Sequence, residues 1–138
     1  MLNRIRTSNL HKMIKRIISK RLLSLSKKIP ILTITGPRQS GKTTLAKSTF
    51  PGYRYISLEN PDNLDFALSD PKGFLNTYNR KLIIDEAQYA PKLFSYIQTI
   101  VDEKKENGLY VLTGSQNFLL HAKISQSLAG RVIIFPTY

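Results

Sequence analysis

Residues 29–50, "IPILTITGPRQSGKTTLAKSTF", constrain the fold more than any other part of the chain. "IPILTIT" is a β-rich apolar run that stops at Gly36, and "TTLAKSTF" reads as a helix, so the loop between them joins strand to helix. Gly36-Pro37-Arg38-Gln39-Ser40-Gly41-Lys42-Thr43 fits the pattern G-x-x-x-x-G-K-[ST], followed by Thr44. The glycines let the backbone curl until several N–H groups point inward, and the helix adds its positive N-terminus. Lys42 is placed to reach the β- and γ-phosphates of a nucleotide, and the Thr43 hydroxyl to ligate Mg²⁺. A plain glycine turn is the structural alternative, and the strand before and helix after the loop argue against it.

The remainder keeps the same rhythm. A strand is expected near 53–58, a turn at Glu59–Asn63, and short helical pieces over "LDFALSDPKGFLNTY", broken by Pro71 and Gly73. "KLIIDEAQ" is a buried-type strand ending in two acids, "PKLFSYIQTIVDEKKENG" a helix started by Pro91 and ended by Gly108, and "LYVLTGS" another buried strand. "NFLLHAKISQSLAG" adds a helix and "RVIIFP" a fifth strand. Apolar strands alternating with helices predict an α/β three-layer sandwich of the P-loop NTPase kind, with a parallel five-stranded sheet.

Asp85 closes its strand where P-loop enzymes place a water-mediated contact to Mg²⁺, and Glu86 is the candidate general base for water beside the γ-phosphate. An acidic pair after a strand can also be a helix N-cap. In Thr113-Gly114-Ser115-Gln116-Asn117, Ser115 is the first choice and Asn117 the reserve for sensing the γ-phosphate or holding water, with capping of the next helix as the competing role. Arg131 is a candidate finger for a neighbour's nucleotide, which would require a homo-oligomer. Gln88 has two readings, water positioning and a helix surface, and the second is preferred.

The formal charge of +12 is unevenly spread. Residues 1–28 hold nine Lys/Arg and no acid, whereas the rest holds twelve Lys/Arg against all nine acids. The chain therefore divides into a basic arm, 1–28, and a nearly balanced core, 29–138. Residues 1–11 show no clear period. Over Lys12–Lys28 the residues Ile14, Ile17, Ile18, Leu22 and Leu25 follow helical spacing and predict an amphipathic helix packed on the core. Its basic face offers two other roles, contact with nucleic-acid phosphates and a transit peptide. The chain has no cysteine, and its two histidines, His11 and His121, form no ligand cluster. No apolar run approaches the roughly 20 residues of a spanning helix, so no transmembrane segment is expected and the location is read as cytoplasmic.

Taken together, "ITGPRQSGKTTLA", "LENPDNLDFALSDPKGFL", "IIDEAQYAPKLFSYIQTIVDE" and "VLTGSQNFLLHAKISQSLAGR" resemble the AAA+ superfamily of P-loop ATPases, specifically a bacterial and archaeal group of uncharacterised ATP-binding proteins. The resemblance covers about residues 13–135. It implies ATP and Mg²⁺ as cofactors and hydrolysis to ADP and phosphate. The assignments are Gly36, Pro37, Arg38, Gln39, Ser40, Gly41, Lys42, Thr43 and Thr44 on the nucleotide, Thr43 and Asp85 on the metal, and Glu86, Ser115 and Arg131 in catalysis. No Asn-Lys-x-Asp stretch that would read guanine is present. In that family a longer C-terminal domain usually follows the core. The expectation here is a core truncated after the fifth strand, without helical lid or sensor arginine. Two alternatives accompany it, a truncated nucleotide-binding module without turnover and a nucleic-acid-associated protein acting through its basic arm.

Overall fold

The computed structural model describes residues 2–37, 40–118 and 122–137, and within these the side chains of 2–6, 122 and 123 are outside the description. Five parallel strands, β1 (Ile31–Thr35), β2 (Arg54–Ser57), β3 (Leu82–Asp85), β4 (Tyr110–Gly114) and β5 (Val132–Pro136), form one sheet in the order β2-β3-β4-β1-β5. Six helices accompany them, α1 (Leu2–Ser26), α2 (Lys42–Thr49), α3 (Pro61–Ser69), α4 (Pro71–Thr77), α5 (Leu93–Lys104) and α6 (Ala122–Leu128). Parallel strands need crossover connections, and here helices supply them on both faces of the sheet.

The alternation of side chains along each strand divides the core in two. Ile31, Leu82, Ile84, Tyr110 and Leu112 face Phe74, Phe94, Ile97 and Phe118. On the other face Leu32, Ile34, Ile83 and Val111 meet Leu22 of α1 and Ala46 and Phe50 of α2 and its end. β1, β3 and β4 are buried throughout, which is why they read as continuous apolar runs. The register pairs Ser57 with Asp85 and Thr35 with Gly114, so polar residues collect at the C-terminal edge of the sheet. In open parallel sheets this edge is where ligands bind.

Several local expectations are corrected. The turn expected at 59–63 is shorter and lies over residues 58–60, because α3 begins at Pro61 and the Asn60 side chain accepts hydrogen bonds from the backbone N–H of Asp62 and Asn63. Pro71 starts α4 instead of breaking it, since its missing N–H is an orphan position in a first turn anyway. Gly73 lies inside α4, where its N–H donates to Asp70 Oδ1 at 2.9 Å and a Cβ would collide with the Asp70 carboxylate. α5 ends at Lys104, with Lys105 left-handed at φ 52°, ahead of Gly108. Of the helix expected over 117–130, the described residues hold α6, and residues 119–121, His121 among them, lie outside the described residues.

The largest departure is α1. Residues 2–11, expected to lack regular structure, belong to the same helix as the basic segment. Packing is confined to its C-terminal half: Leu22 is fully buried and Ile18 and Leu25 are half-buried against the core, whereas Ile14 and Ile17 are exposed. Ser19 Oγ and Thr49 Oγ1, 2.9 Å apart, tie α1 to α2. The cations Lys12, Lys15, Arg16, Lys20, Arg21, Lys27 and Lys28 face solvent. No helix among the described residues is long and apolar enough to cross a membrane.

This division of α1 predicts that Leu22→Ala lowers stability by about 2–5 kcal/mol, as cavity-forming core truncations do. Ile17→Ala should fall within about 0.5 kcal/mol of wild type. Denaturant melts of both variants check it, and equal losses would contradict the one-sided packing.

Candidate active site

The loop after β1 returns to the sheet as α2 through Gly41, which is left-handed at φ 81° and caps the helix. A β-carbon is disfavoured in that backbone region, and this accounts for the second glycine of the motif. The first has a different cause, since Gly36 is buried and a Cβ there would run into the Thr137 hydroxyl and the Ser40 side chain. Gly36 also donates its N–H to the Gly114 carbonyl at 3.2 Å, so the loop springs from the junction of β1 and β4. Arg38 and Gln39 lie outside the described residues. Pro37 is exposed and Ser40 half-buried, and Ser40 Oγ lies 3.0 Å from Thr137 Oγ1.

Lys42 opens α2 and is only 5% exposed. Its Nζ donates to the Gly36 carbonyl at 3.1 Å and pairs with Glu86 Oε1 at 2.9 Å. A buried ammonium requires a counter-charge. Glu86 supplies one from the residue just beyond β3, where the backbone turns left-handed at φ 55°. Non-glycine residues in this region cost of order 1–3 kcal/mol and persist where the surroundings impose them. Here the Glu86 N–H donates to Thr113 Oγ1 at 3.0 Å, and Gln88 Nε2 donates to Glu86 Oε2 at 2.6 Å. Both carboxylate oxygens of Glu86 are therefore engaged.

Asp85, the last residue of β3, is 4% exposed and accepts three hydroxyl hydrogen bonds. Thr43 Oγ1 donates to its Oδ1 at 2.7 Å, Thr113 Oγ1 to the same oxygen at 2.6 Å, and Ser57 Oγ to Oδ2 at 3.1 Å. Strands β2, β3 and β4 and the start of α2 thus converge on one carboxylate. Neighbouring Tyr55 feels it too: burial first, and then the Asp85 charge, push its phenol up to about 12. The Thr43 hydroxyl beside a carboxylate is a pair of hard oxygen donors, which suits Mg²⁺. Among the described residues there is no group of three or more His, Cys, Asp or Glu that could hold a metal ion.

Three clefts border this network. One of about 220 Å³ is lined by Gly41, Lys42, Thr43, Thr44, Asp85 and Glu86, together with Glu59. A second, about 160 Å³, joins Lys42 and Glu86 to Gln88, Tyr89 and Ser115. The third is a groove of about 550 Å³ on the far side of Thr44, with Ile18, Leu45, Phe135 and Pro136 supplying apolar walls. The expected site residues that the structure describes therefore come together, with one exception. Arg131 precedes β5 at the opposite edge of the sheet, where its carbonyl accepts from Ile31 N–H at 3.2 Å. Its guanidinium grips Asp102 through Nε at 2.8 Å and Nη2 at 2.9 Å, and this hydrogen bonding holds the Asp102 carboxyl low and the Arg131 group high. A finger role for Arg131 would have to break that fork. The reserve residue Asn117 is exposed and borders none of the three clefts.

Two participants carry no signal in the sequence: Thr113 and Ser57 are single hydroxyl residues at strand ends, and only the register β2-β3-β4 brings them to Asp85. Of the two readings of Gln88, the preferred helix surface is corrected, because residues Ala87–Tyr89 form a single 3-10 turn that folds its amide back onto Glu86. The two-residue spacing from Glu86 was the available signal.

A family model described as an AAA domain matches residues 28–138. Two uncharacterized proteins, one of Mycobacterium bovis and one of Mycobacterium tuberculosis, are each 33% identical to the chain over 119 residues, 86% of its length. The chain spans 27% of the length of these curated relatives. Among solved structures, the DnaC helicase loader matches with a TM-score of 0.58 at 15% identity, covering 94% of this chain and 89% of that one. C. elegans PCH-2 matches with a TM-score of 0.52 at 16% identity, over 94% and 42% respectively. At these identities the structural matches establish a shared fold.

Thr113 is the most exacting test of the network. Thr113→Val preserves shape but leaves Asp85 without one donor and the Glu86 N–H without its acceptor, each costing about 1–3 kcal/mol when buried. Thr99→Val, on the exposed face of α5, should cost under about 0.5 kcal/mol. Chemical denaturation of the two variants checks this; similar midpoints would show that Thr113 is not a structural node.

Proposed function

The chain belongs to the AAA-domain family of P-loop ATPases, and from that premise we propose that it binds ATP with Mg²⁺ and hydrolyses it to ADP and phosphate at the edge formed by Lys42, Thr43, Asp85 and Glu86. The observation that carries this reading is the meeting of Glu86 with Lys42 at 2.9 Å, one residue beyond the Thr43–Asp85 contact. A base, a phosphate-binding cation and a hard-oxygen pair then border one polar cleft.

Each residue has a role that follows from its chemistry. The loop's inward N–H groups and the start of α2 hold the phosphate oxygens. Lys42 exchanges the Gly36 carbonyl and the Glu86 carboxylate for the β- and γ-phosphates. Thr43 and Asp85 would hold Mg²⁺, which when bound supplies neutralisation of the charge on those phosphates. Glu86, relieved of its ion pair, accepts the proton of a water whose oxygen forms the new bond to the γ-phosphorus as the bond to the ADP oxygen breaks. Ser115, in the cleft with Lys42 and Glu86, can hold that water or a γ-phosphate oxygen. The apolar groove beside Thr44 suits the nucleotide base.

One observation favours a second reading, retention of nucleotide without turnover. Arg131, the candidate finger, is forked to Asp102 at the opposite edge of the sheet, and fingers of that type are worth factors of roughly 10³–10⁵ in P-loop enzymes. The two readings separate experimentally.

Lys42→Ala should abolish most ATP affinity in calorimetric titration while the far-ultraviolet spectrum stays native; equal affinity in variant and wild type would sink the phosphate-loop reading. Glu86→Gln retains size and hydrogen bonding but loses the basic carboxylate, so phosphate release should fall by about 10²–10⁴-fold while ATP still binds. Wild-type chain that binds ATP and releases no phosphate above background would select the second reading.

A further inference from the structure

Gln88 stands out because nothing in the reaction described above uses it, yet it makes the 2.6 Å hydrogen bond to the proposed base. Its orientation is set by chemistry: an amide beside a carboxylate must present its N–H₂ to Glu86 Oε2, since two acceptor oxygens would repel. The amide oxygen then faces the other way, into the protein, where among the described residues it is buried without a hydrogen-bond partner. It packs against Gly114, whose absent Cβ would stand 3.0 Å from that oxygen. A fold gains nothing from a buried, unpaired acceptor. The side chain is held in that posture by what its other end does.

We propose that Gln88 is a positioning residue that holds the Glu86 carboxylate in place when Lys42 leaves it for the nucleotide. This rests on the ATP hydrolysis reading above. Among the described residues the carboxylate has two side-chain partners, Lys42 on Oε1 and Gln88 on Oε2. Phosphate binding removes the first, because one ammonium cannot serve both a buried carboxylate and the β/γ-phosphates. What remains to fix the base is the Gln88 amide, with the left-handed backbone of Glu86 and its N–H bond to Thr113 anchoring the other end of the residue. The 3-10 turn of Ala87–Tyr89 makes the device local: Gln88 lies two residues after the group it orients and moves with it. Ser115 and Tyr89 line the cleft into which the oriented carboxylate faces, alongside Lys42.

Two substitutions separate positioning from packing. Gln88→Met keeps length and removes the N–H donor, whereas Gln88→His keeps a donor at a similar reach. In steady-state phosphate release by the chain, Gln88→Met should lower kcat by about 10- to 100-fold, the scale of a misplaced reacting group. Its calorimetric affinity for ATP with Mg²⁺ should stay within about 3-fold of wild type, since Lys42 is untouched, and Gln88→His should recover much of the lost kcat. The proposal is overturned if Gln88→Met turns over ATP as fast as wild type, or if both variants lose kcat equally in step with a lowered melting temperature. Failure of the underlying reading looks different, because it shows in wild type and Glu86→Gln: no phosphate release from the former, or undiminished release from the latter, overturns hydrolysis at this site and this proposal with it.

Discussion

A lysine and a glutamate that are 5% and 7% exposed meet at 2.9 Å where β1 and β3 end, and the arrangement of the sheet edge follows from keeping those two charges buried. A buried ion pair contributes little net stability, because the Coulombic gain is offset by desolvation, but removing one partner commonly costs 3–5 kcal/mol. The fold consequently surrounds the pair with donors and acceptors: the Gly36 carbonyl for Lys42, the Gln88 amide for Glu86, and Thr113 for the backbone that carries Glu86. Next to it, Asp85 is satisfied by three hydroxyls from three different elements. Buried polar networks hold a structure rigidly when their members are satisfied, and here the Gln88 amide oxygen is the exception among the described residues of the network. The network therefore holds β2, β3, β4 and α2 in fixed register at their site ends.

The same pair organises the site: Lys42 Nζ donates to the loop's first carbonyl, that of Gly36, and Glu86 Oε1 meets the same Nζ at 2.9 Å. The glutamate supplies the anion that the buried lysine requires. A phosphate chain can take over that role with stronger charge and with the loop N–H groups as additional donors. In the reaction we propose, that exchange would free the carboxylate for chemistry when substrate is present, so that binding and activation of the base would be one event.

How far this was legible from residues alone depends on how local each feature is. The phosphate loop could be read because its glycines, lysine and threonine are contiguous and each has a separate physical reason: a left-handed Gly41, a crowded Gly36, a cation and a hydroxyl. The sheet could be read because parallel strands buried on both faces leave apolar runs such as "KLIIDEAQ" and "LYVLTGS". Thr113 and Ser57 could not, since a lone hydroxyl at a strand end carries no signal until strand order sets its neighbours. Gln88 was visible and misplaced, because an isolated turn and the start of a helix look alike over three residues. α1 was underestimated because helical spacing predicts which residues share a face but not whether a partner surface is long enough to cover them. Leu22 finds the core, and Ile14 and Ile17 extend past it.

The most direct measurement of this account is the affinity of the Glu86→Gln chain for ATP with Mg²⁺, compared with wild type by calorimetry and with adenosine as the phosphate-free control. If the carboxylate occupies Lys42 until phosphate displaces it, neutralising that carboxylate removes a competitor, and ATP should bind several-fold tighter to the variant while adenosine binds both alike. ATP affinity that is unchanged or weaker in Glu86→Gln would contradict the claim that the Lys42–Glu86 pair is exchanged for the nucleotide's phosphates.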